Sequence, residues 1–539
     1  ITLVSMETLG MWHKIGFLSD AFRCFSNLGL SIDLISTSET NVTVTLDKET
    51  HDIDSSKLSQ LEEQLKEMCR VKILENVEIV SVVGHKIRSI LHEIGPALEV
   101  FEKHKIHLLT QASNDLNLSF VVGQDQSKPL VQKLHYILVQ PDLDSTVFGD
   151  TWEQLSHSNQ TKPSSDLWWA RKRDKLLKIV ESKKSIYVYN LETIQKAIDR
   201  LRSLDSVDSI YFATKANSNP KVLQVVYEAG LNLECVSAEE LEHVLKLFPD
   251  IDRKRILFTP NFAPRSEYMY ALDKRVWITL DNLYPLVHWP ELFKNQEILI
   301  RLDTGQAKGH HRYVRTQGLH TKFGIPLFEL DEVYRRVTAC GTKVVGLHAH
   351  SGSGILDSDH WGKVAAILVE ASAKFSTVRY INLGGGLGVV ERTGQSPLDL
   401  SIIDQSLAEA KKTSGLEIWL EPGRYLVAES GVLLTKVTQL KGKGSTRYVG
   451  VATGMNSLIR PALYGAYHEI VNLSRLDEAR GNVVNVVGPI CETTDLLGSN
   501  RHLPECIEGD VLLVANTGAY GYVMGSHYNL RKPAEEFTL

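Results

Sequence analysis

Residues 211–220, Tyr-Phe-Ala-Thr-Lys-Ala-Asn-Ser-Asn-Pro, are the part of the chain from which the fold is best predicted. It places Lys215 at the end of a short apolar run and directly before turn-forming residues. Such a run predicts a buried strand, and a lysine at its carboxyl end is partly desolvated. Because desolvation lowers the pKa of an amine, we expect a neutral Lys215 that can form a Schiff base. A solvated surface lysine is the alternative.

Eight apolar runs of this kind recur in the middle of the chain, with helical segments between them. They lie near residues 209–213, 231–236, 255–258, 276–280, 297–302, 344–349, 379–383 and 417–420. Eight buried strands alternating with helices are typical of a (β/α)₈ TIM barrel, here over 206–424, with a doubly wound open sheet as the alternative. Beyond residue 425 the sequence is rich in Val and Thr, which predicts a β domain formed by 185–205 and 425–539.

The ends of these predicted strands carry the reactive side chains. In a barrel, catalytic residues come from the carboxyl ends of several strands. In chain order these ends hold Lys215, residues 234–237, His350, the glycine run 384–388 and Glu421. Taken singly, the later ones have plainer interpretations: a core histidine, a simple turn, or a salt bridge from Glu421 to Arg424.

An amine, a glycine loop, an imidazole and a carboxylate at one end of a barrel are together what pyridoxal 5'-phosphate requires. Lys215 would bond the cofactor's aldehyde, and backbone N–H groups of the glycine loop would bind the phosphate. His350 would cover the ring, and Glu421 would keep the ring nitrogen protonated. The sequence therefore predicts this cofactor and no metal.

Residues 185–539 resemble the fold-type III decarboxylases, and among them the diaminopimelate decarboxylase family. The motifs that carry the resemblance are YFATKANSNP (211–220), HAHSGSG (348–354), INLGGGLG (381–388), EPGRYLVAESG (421–431), MNSLIRPALYGAYH (455–468), CETTD (491–495) and TGAYGYVMGSHYN (517–529). By this resemblance Lys215 is the Schiff-base lysine, His350 stacks on the cofactor ring, and Glu421 pairs with the ring nitrogen.

The resemblance also implies which residues bind the phosphate and the substrate. For the phosphate these are Ser353, Gly384, Gly385, Gly386 and Tyr528. For the substrate, and mainly its distal carboxylate, they are Arg424, Arg460, Tyr464 and Tyr528. Two arginines suit a substrate with an extra carboxylate, because guanidinium groups bind carboxylates bidentately.

Further residues are implied to act across a subunit interface, so a homodimer with shared active sites is expected. Cys491 and Glu492 would reach into the partner subunit's site. There Glu492 would bind the distal ammonium and Cys491 would protonate the carbanion left by CO₂, with an inert buried thiol as the alternative. Lys322 and Asp495 would form an ion pair between subunits.

Three segments depart from the family pattern. Residues 301–304 read Arg-Leu-Asp-Thr where the family has Arg-x-Asn-Pro. HAHSGSG replaces an isoleucine-containing loop, and YNLRKPAE (528–535) replaces a double Arg-Pro. The resemblance is therefore weakest in the loops near the phosphate.

The first 140 or so residues contain an internal duplication. STSETNVTVTL (36–46) aligns with ASNDLNLSFVV (112–122). Helical segments are expected before the two copies, at 18–28 and 97–104, and after them, at 58–69 and 129–139. The pattern predicts two small α/β modules, with a chance similarity as the alternative.

Residues 1–142 resemble the paired ACT modules of lysine-sensitive aspartate kinases, which have a ferredoxin-like α+β fold. The motifs are MWHKIGFLSDAF (11–22), SIDLISTSE (31–39) and LVQKLHYIL (130–138). The resemblance implies an L-lysine effector held by Met11, Gly16, Phe17, Leu18, Ser31, Asp33, Ser38 and Glu39. Lys14 stands where lysine-sensitive members usually have a small hydroxyl, so the identity of the effector stays open.

Composition limits the class of protein. A chain of 539 residues is too long for one core, and a net charge of −6 gives no reason to expect nucleic acid. The six cysteines lack CxxC spacing, which favours a reducing cytosol. No apolar run approaches the ~20 residues that span a bilayer. We therefore expect a cytoplasmic protein with neither a nucleic-acid nor a membrane partner.

Residues 143–184 are expected to form a linker and, from about Trp168, a docking helix. The chain begins at Ile1, inside a predicted strand, which predicts further sequence upstream, where a kinase domain would lie.

The predicted function is the conversion of meso-2,6-diaminopimelate to L-lysine and CO₂, in a bifunctional polypeptide whose ACT modules sense lysine for an aspartate kinase. Two alternatives lie in the same superfamily: a decarboxylase of another carboxylated diamine, and a racemase, which would need a second acid/base tyrosine across the ring. A third is an amino-acid sensor with an inactive barrel.

Overall fold

The computed structural model of the chain describes residues 1–8, 16–37, 40–46, 55–83, 106–111, 117–138, 166–305, 321–392, 394–444 and 446–539. They belong to two compact units, 1–143 and 144–539. Several predictions fall outside the described residues: Met11, Lys14, Ser38, Glu39, the helical segment 97–104 and the linker before residue 166. Among the described helices, none is both long and apolar enough to cross a bilayer.

The first unit begins with a four-stranded antiparallel sheet. Its strands are β1 (Thr2–Glu7), β2 (Ile35–Thr37), β3 (Asn41–Leu46) and β4 (Arg70–Leu74), in the order β2-β3-β1-β4. The helices Phe17–Asn27 and Ser55–Lys66 connect β1 to β2 and β3 to β4. Their apolar sides pack on Val4, Met6 and Val44 of the sheet. The β-α-β-β-α-β order is that of the ferredoxin-like motif.

A second antiparallel sheet in the same unit consists of β5 (Val77–Val83), β6 (Ile106–Gln111) and β7 (Asn117–Gly123), in the order β5-β7-β6. The helix Gln124–Leu138 follows β7 directly. The two aligned segments of sequence thus supply β3 and β7, and each of these strands lies inside its sheet rather than at an edge.

The second unit begins with two short helices, Trp168–Arg171 and Arg173–Val180, and strand β8 (Ser185–Tyr189). Parallel strands follow: β9 (Ser209–Ala213), β10 (Asn232–Cys235), β11 (Ile256–Phe258), β12 (Trp277–Leu280), β13 (Glu297–Asp303), the two-residue β14 (Ile325–Pro326), β15 (Lys343–His348), β16 (Tyr380–Asn382) and β17 (Glu417–Leu420). Because β12 pairs with β13, the eight long strands close into a barrel and the open-sheet alternative is wrong.

Helices cover the barrel between its strands. They are Leu191–Arg202, Pro220–Glu228, Ala238–Leu247, Arg265–Lys274, Tyr284–His288, Pro290–Phe293, Leu330–Cys340, His360–Ser372, Leu400–Ser414 and Arg424–Val427. Four of them start at a side-chain cap: Asn190, Asn219, Ser237 and Asp399 each accept a backbone N–H of the first turn. Each cap therefore sets the residue at which its helix begins.

Aromatic side chains fill part of the barrel interior. Trp419 stacks on Tyr380, with ring centroids 4.4 Å apart, and contacts Tyr211 at 5.1 Å. Trp277 contacts both Trp419 and Tyr380. The interior is therefore a packed core, as in other barrels of this type, and the carboxyl ends of the strands are left for a site.

The β domain consists of β18 (Gly431–Lys443), β19 (Thr446–Val451), β20 (Ile470–Asn472), β21 (Asn482–Val487), β22 (Leu496–Leu503), β23 (Val511–Val514) and β24 (Glu535–Thr538), with the helix Arg460–Tyr464. Six strands follow the order β20-β23-β18-β19-β21-β22. Strand β8, which precedes the barrel in sequence, pairs with β18 and β24. The chain thus enters the β domain, forms the barrel and returns.

The helices before β8 dock on the β domain. Trp168 and Trp169 are buried with Val432, Leu434 and other apolar residues of its sheet. The Trp168 ring N–H donates to the Glu429 carbonyl at 2.8 Å. Arg173 donates to the carbonyls of Leu473 (2.8 Å) and Ser474 (2.7 Å), so it takes part in the docking.

Replacing Trp168 by alanine should lower the free energy of unfolding by about 3–5 kcal/mol, because it leaves a cavity under the sheet. Urea unfolding of the full chain, followed by far-UV circular dichroism, measures this. Trp168→Phe keeps one aromatic ring but removes the N–H donor and part of the indole, so it should cost less than the alanine change, about 1–3 kcal/mol. Equal stability of the alanine variant and the wild type would show that this docking contact contributes nothing.

Candidate active site

Lys215 lies in the single 3₁₀ turn Thr214–Ala216, immediately after β9. Its amine donates to both carboxylate oxygens of Glu234, at 3.1 and 3.0 Å. Glu234 belongs to the neighbouring strand β10 and is fully buried. The two side chains meet because parallel strands in register bring their carboxyl ends together.

The charge of Lys215 differs from the expectation. Burial by itself would lower the pKa of the amine, but the carboxylate of Glu234, aided by Tyr520 and Glu421, raises it above the ordinary lysine value. Burial also raises the pKa of Glu234, although the Lys215 ammonium opposes that shift. The prediction of a neutral amine is therefore wrong for the chain alone, because a buried carboxylate outweighs desolvation.

Glu421 follows β17 and is held by polar side chains from two neighbouring strands. Asn382 donates to its Oε1 at 2.7 Å, and His348 Nε2 lies 3.4 Å from its Oε2. Burial raises the pKa of Glu421, yet His348, Lys215 and His350 outweigh burial and hold the pKa below the usual carboxyl range. Glu421 is thus ionised, and it does not form the salt bridge to Arg424 that was the alternative.

His350 and the glycine loop lie next to each other. The Gly385 N–H donates to His350 Nδ1 at 3.1 Å, and a Cβ added to Gly385 would lie 2.3 Å from the Glu421 carbonyl. Burial, with the cations Arg301 and Lys215, lowers the pKa of His350 well below its ordinary value. Its imidazole is therefore neutral at pH 7.

Only part of the glycine loop has N–H groups that could bind a phosphate. The Gly384 N–H donates to Asn382 Oδ1 at 2.9 Å, and that of Gly385 is used by His350. In this arrangement Gly386, with φ of +90°, is the member of the triplet whose N–H would serve a phosphate. The difference arises because side chains of the adjacent strands accept from the turn.

The arginines predicted to bind a carboxylate come together. Arg424 donates through Nε (3.2 Å) and Nη2 (3.0 Å) to the Ser353 hydroxyl, which was expected at the phosphate. Its Nη1 lies 3.4 Å from Glu391 Oε1, and Arg460 Nη2 lies 3.7 Å from the same oxygen. Tyr464 ends the helix that Arg460 begins. A buried two-arginine site therefore exists, with a carboxylate already in it.

The residues predicted to act across subunits form a second cluster. Cys491 and Glu492 are exposed, and the Tyr528 hydroxyl donates to Glu492 Oε1 at 2.6 Å. The resemblance assigned Tyr528 to this chain's site and Glu492 to the partner subunit's, whereas here they bond within one chain. Asp495 is buried and accepts the N–H groups of Met455 (2.6 Å) and Ile490 (2.7 Å), so it anchors its own chain.

Four residues of the site were not assigned a role from sequence: Glu234, His348, Asn382 and Glu391. For three of them a signal was present. His348 is two residues before His350, so both point to the same side of an extended segment. Glu234 and Asn382 are polar residues within apolar strands, which implies a buried partner. Glu391 follows the glycine loop and no sequence pattern marks it.

Residues 191–428 match the family described as pyridoxal-dependent decarboxylase, pyridoxal binding domain. The chain is 35% identical over 340 residues to a diaminopimelate decarboxylase of Methanothermobacter thermautotrophicus, covering 60% of this chain and 79% of that protein. It is 33% identical over 366 residues to one of Aquifex aeolicus, covering 65% and 85%. The chain belongs to the diaminopimelate decarboxylase family. It is thus a pyridoxal phosphate-dependent carboxy-lyase by descent.

Solved structures of the family agree with this assignment. A crystal structure of diaminopimelate decarboxylase from Helicobacter pylori complexed with L-lysine superposes with a TM-score of 0.62 at 30% identity, covering 68% of this chain and 94% of that one. An arginine decarboxylase of Paramecium bursaria Chlorella virus, 19% identical with a TM-score of 0.60, shares the fold. These matches concern the C-terminal part of the chain, with its barrel and β domain.

The donor set at the strand ends fits the family's cofactor. Lys215 would offer an amine for the aldehyde, Glu421 an ionised carboxylate for the ring nitrogen, and His350 a flat neutral imidazole for the ring face. When bound, pyridoxal phosphate supplies an electron sink for the bonding pair left by a departing carboxylate. These residues would position the ring and keep its nitrogen protonated.

The imidazole of His468 makes stability depend on pH. Its Nε2 accepts from Arg460 (3.0 Å), and its Nδ1–H donates to the Ala515 carbonyl (2.9 Å). Burial, with the positive charge of Arg460, lowers the pKa of His468 to about 3. Because the unfolded pKa is about 6.5, the unfolded state binds more protons between these values, and stability falls as pH falls from about 6.5 towards 3.

Wild-type protein should therefore lose up to about 1.4 kcal/mol per pH unit from this one group. His468→Gln should lose less stability than wild type between pH 7 and pH 5, in urea unfolding at both values. The exposed His527→Gln is the matched control and should follow wild type. If all three proteins show the same pH dependence, His468 is not buried in its neutral form.

Proposed function

We propose that the chain removes CO₂ from the D-centre of meso-2,6-diaminopimelate and releases L-lysine. The observation that carries this choice of substrate is the meeting of Arg424 and Arg460 at Glu391, where Arg424 also donates to Ser353. Two buried guanidiniums need negative charge, and a substrate whose distal end carries only an ammonium would provide none. A distal carboxylate supplies that charge with bidentate geometry.

The proposed roles follow the charges of the chain's own groups. Lys215 would hold the cofactor through its amine. Glu421 stays ionised against the ring nitrogen, and His350 stays neutral against the ring face. Arg424, Arg460 and Tyr464 orient the distal carboxylate, so that the bond to the leaving carboxylate is presented to the ring. Of the residues predicted to bind the phosphate, Gly386, Ser353 and Tyr528 are proposed to do so, because the N–H groups of Gly384 and Gly385 donate to Asn382 and His350.

We further propose a cytoplasmic homodimer in which Cys491 and Glu492 complete the partner subunit's site. Their exposure supports this, and Glu492 would exchange its hydrogen bond with Tyr528 of the same chain for the substrate. In that assembly Glu492 would bind the distal ammonium and Cys491 would be a proton donor. Sedimentation of the holoenzyme should give the mass of two chains, and Glu492→Gln should raise KM without dissociating them.

The function is tested by measuring CO₂ release from meso-diaminopimelate, with chiral analysis of the products. Release of CO₂ with L-lysine as product is the expected result. Interconversion of meso- and LL-diaminopimelate without CO₂ would establish a racemase instead. Absence of both reactions in protein that binds the cofactor would favour the sensor alternative.

For residues 1–142 we propose a tandem pair of ACT modules that sense lysine for an aspartate kinase. The ferredoxin-like strand order and the repeated β3 and β7 support this. Gly16 has φ of +90° and precedes the helix Phe17–Asn27, whose first N–H groups suit a carboxylate. Asp33 lies in an extended segment, and its backbone N–H donates to the Thr45 carbonyl. The Asp33 carboxylate would bind the ligand's ammonium group.

The domain limits that we propose are 1–142 for the ACT modules, 143–184 for the linker and docking helix, 206–424 for the barrel, and 185–205 with 425–539 for the β domain.

Calorimetric titration of the full chain with L-lysine tests the sensor. The barrel site also binds the product, so the titration needs Lys215→Ala protein without cofactor. In that background a residual binding heat is expected, and Asp33→Ala should abolish it. Identical heats with and without Asp33, or none in either protein, would refute lysine sensing by these modules.

A further inference from the structure

Glu391 provides a carboxylate between the two arginines of the proposed substrate site. Its Oε1 lies 3.4 Å from Arg424 Nη1 and 3.7 Å from Arg460 Nη2. The arginine side chains are 5% and 1% exposed, and Glu391 is 15% exposed. A charge this deeply buried is stable only beside an opposite charge, so Glu391 neutralises one of the two cations.

The segment that carries Glu391 is fixed from several directions. Gln395 Oε1 accepts the backbone N–H groups of Glu391 (2.8 Å) and Arg392 (3.0 Å). Asn516 donates to the Val390 carbonyl at 3.1 Å, and the Arg392 guanidinium lies over the Tyr467 ring at 4.9 Å. The carboxylate is therefore held against the arginines by its own loop.

The contacts of Glu391 with the arginines are nevertheless long. Charge-assisted hydrogen bonds from guanidinium to carboxylate are normally about 2.7–2.9 Å. Within the described part of the chain, Arg460 Nη2 is a buried donor without a hydrogen-bond acceptor, while its Nη1 donates to His468. An incoming carboxylate that reached Nη2 at normal distance would be bound better than Glu391 is.

We propose that Glu391 is a built-in counter-ion of the Arg424–Arg460 site, which the distal carboxylate of the ligand displaces. This inference rests on the proposed function, since it assumes that the ligand's distal carboxylate binds these arginines. Glu391 is then a specificity-determining residue: it lowers the affinity for every ligand with a distal carboxylate. Glu391 stabilises the ligand-free site because its carboxylate compensates the charge of the arginines. A ligand without a distal carboxylate could not replace that compensation, so displacing Glu391 would not improve its binding.

The test compares two probes on cofactor-loaded protein by titration calorimetry. L-lysine retains the distal carboxylate, and cadaverine has the same diamine chain without any carboxylate. Glu391→Gln keeps the side-chain size and the backbone contacts of the loop but removes the charge. We expect the Kd for L-lysine to fall roughly three- to tenfold, and the Kd for cadaverine to stay unchanged or rise.

Turnover provides a second readout. In Glu391→Gln the KM for meso-diaminopimelate should fall with kcat within about twofold, since the distal contact is the same in ground and transition states. Glu370→Gln, the same change on an exposed helix face, is the control and should match wild type. If Glu391→Gln does not fold, Glu391→Asp withdraws the carboxylate by one methylene and should tighten L-lysine binding to a smaller extent.

Unchanged or weaker L-lysine binding in the soluble, folded variant would overturn the proposal, and so would equal tightening of cadaverine. A failure of the proposed function looks different. In that case the wild type releases no CO₂ from diaminopimelate, whatever residue 391 is, while the two binding constants still report on Glu391.

Discussion

Replacing Lys215 by alanine should lower the rate of CO₂ release from meso-diaminopimelate by at least ~10⁴-fold, because the cofactor that supplies most of the ~10⁶-fold or greater acceleration typical of enzymes would lose its attachment. The same change should remove the visible absorption of the bound cofactor. The physical reason is that the amine of Lys215 lies in a polar contact with Glu234 at the mouth of the barrel, where a cofactor aldehyde would meet it. Turnover and the absorption spectrum, with and without borohydride treatment, measure the two effects.

Lys215→Arg is the matched control for the charge of this side chain. It keeps a cation beside the buried Glu234, so the fold should be less perturbed than with alanine, but a guanidinium cannot act as the amine does. Both variants should therefore lack activity, while only Lys215→Ala leaves Glu234 buried without a cation. Activity within tenfold of wild type in either variant would show that the reaction does not require Lys215.

Replacing Glu421 by glutamine should lower kcat on the order of 10²-fold, the cost of removing one preorganised electrostatic group from an active site. Glutamine retains an oxygen for Asn382 but carries no charge, so nothing would hold a proton on the cofactor's ring nitrogen. Because the pKa of Glu421 lies below the usual carboxyl range, kcat of the wild type should not change with its titration above about pH 5.

Glu421→Asp keeps the charge at the cost of one methylene and should retain more activity than the glutamine variant. The two kcat values, measured at saturating substrate, decide the issue. A glutamine variant with kcat within about twofold of wild type would mean that the carboxylate plays no electronic role. If aspartate and glutamine were equally poor, position rather than charge would be the important property of Glu421.

The succession of strands and helices in the barrel could be predicted because each strand is a short apolar run bounded by turn-forming residues. Such runs can be recognised from residues that are close together in the sequence. All eight runs became parallel strands, with ends that differ from the predicted bounds by at most one residue. His350, which was expected at a strand end, lies two residues beyond the end of β15. The residues at the strand ends were predictable for the same reason, since every parallel strand of a closed barrel presents its carboxyl end on one side.

The charges of the site were not predictable in the same way. The protonation state of Lys215 was predicted from its expected burial alone, which led to the prediction of a neutral amine. Glu234 is 19 residues away along the chain, and only strand pairing brings its carboxylate to 3.0 Å from the amine. Likewise, Gly384 and Gly385 were expected to offer their N–H groups to a phosphate, but Asn382 and His350 accept them.

Local sequence is enough to predict the strand-and-helix alternation, the repeat in the first unit and the set of side chains at the barrel mouth, because periodicity and turn chemistry act between near neighbours. The partners and the charges arise in the folded molecule: Glu234 with Lys215, His348 with Glu421, and Glu391 with both arginines. Electrostatic interaction and burial depend on distance in space, and residues far apart in the chain acquire that distance only when the strands close into a barrel.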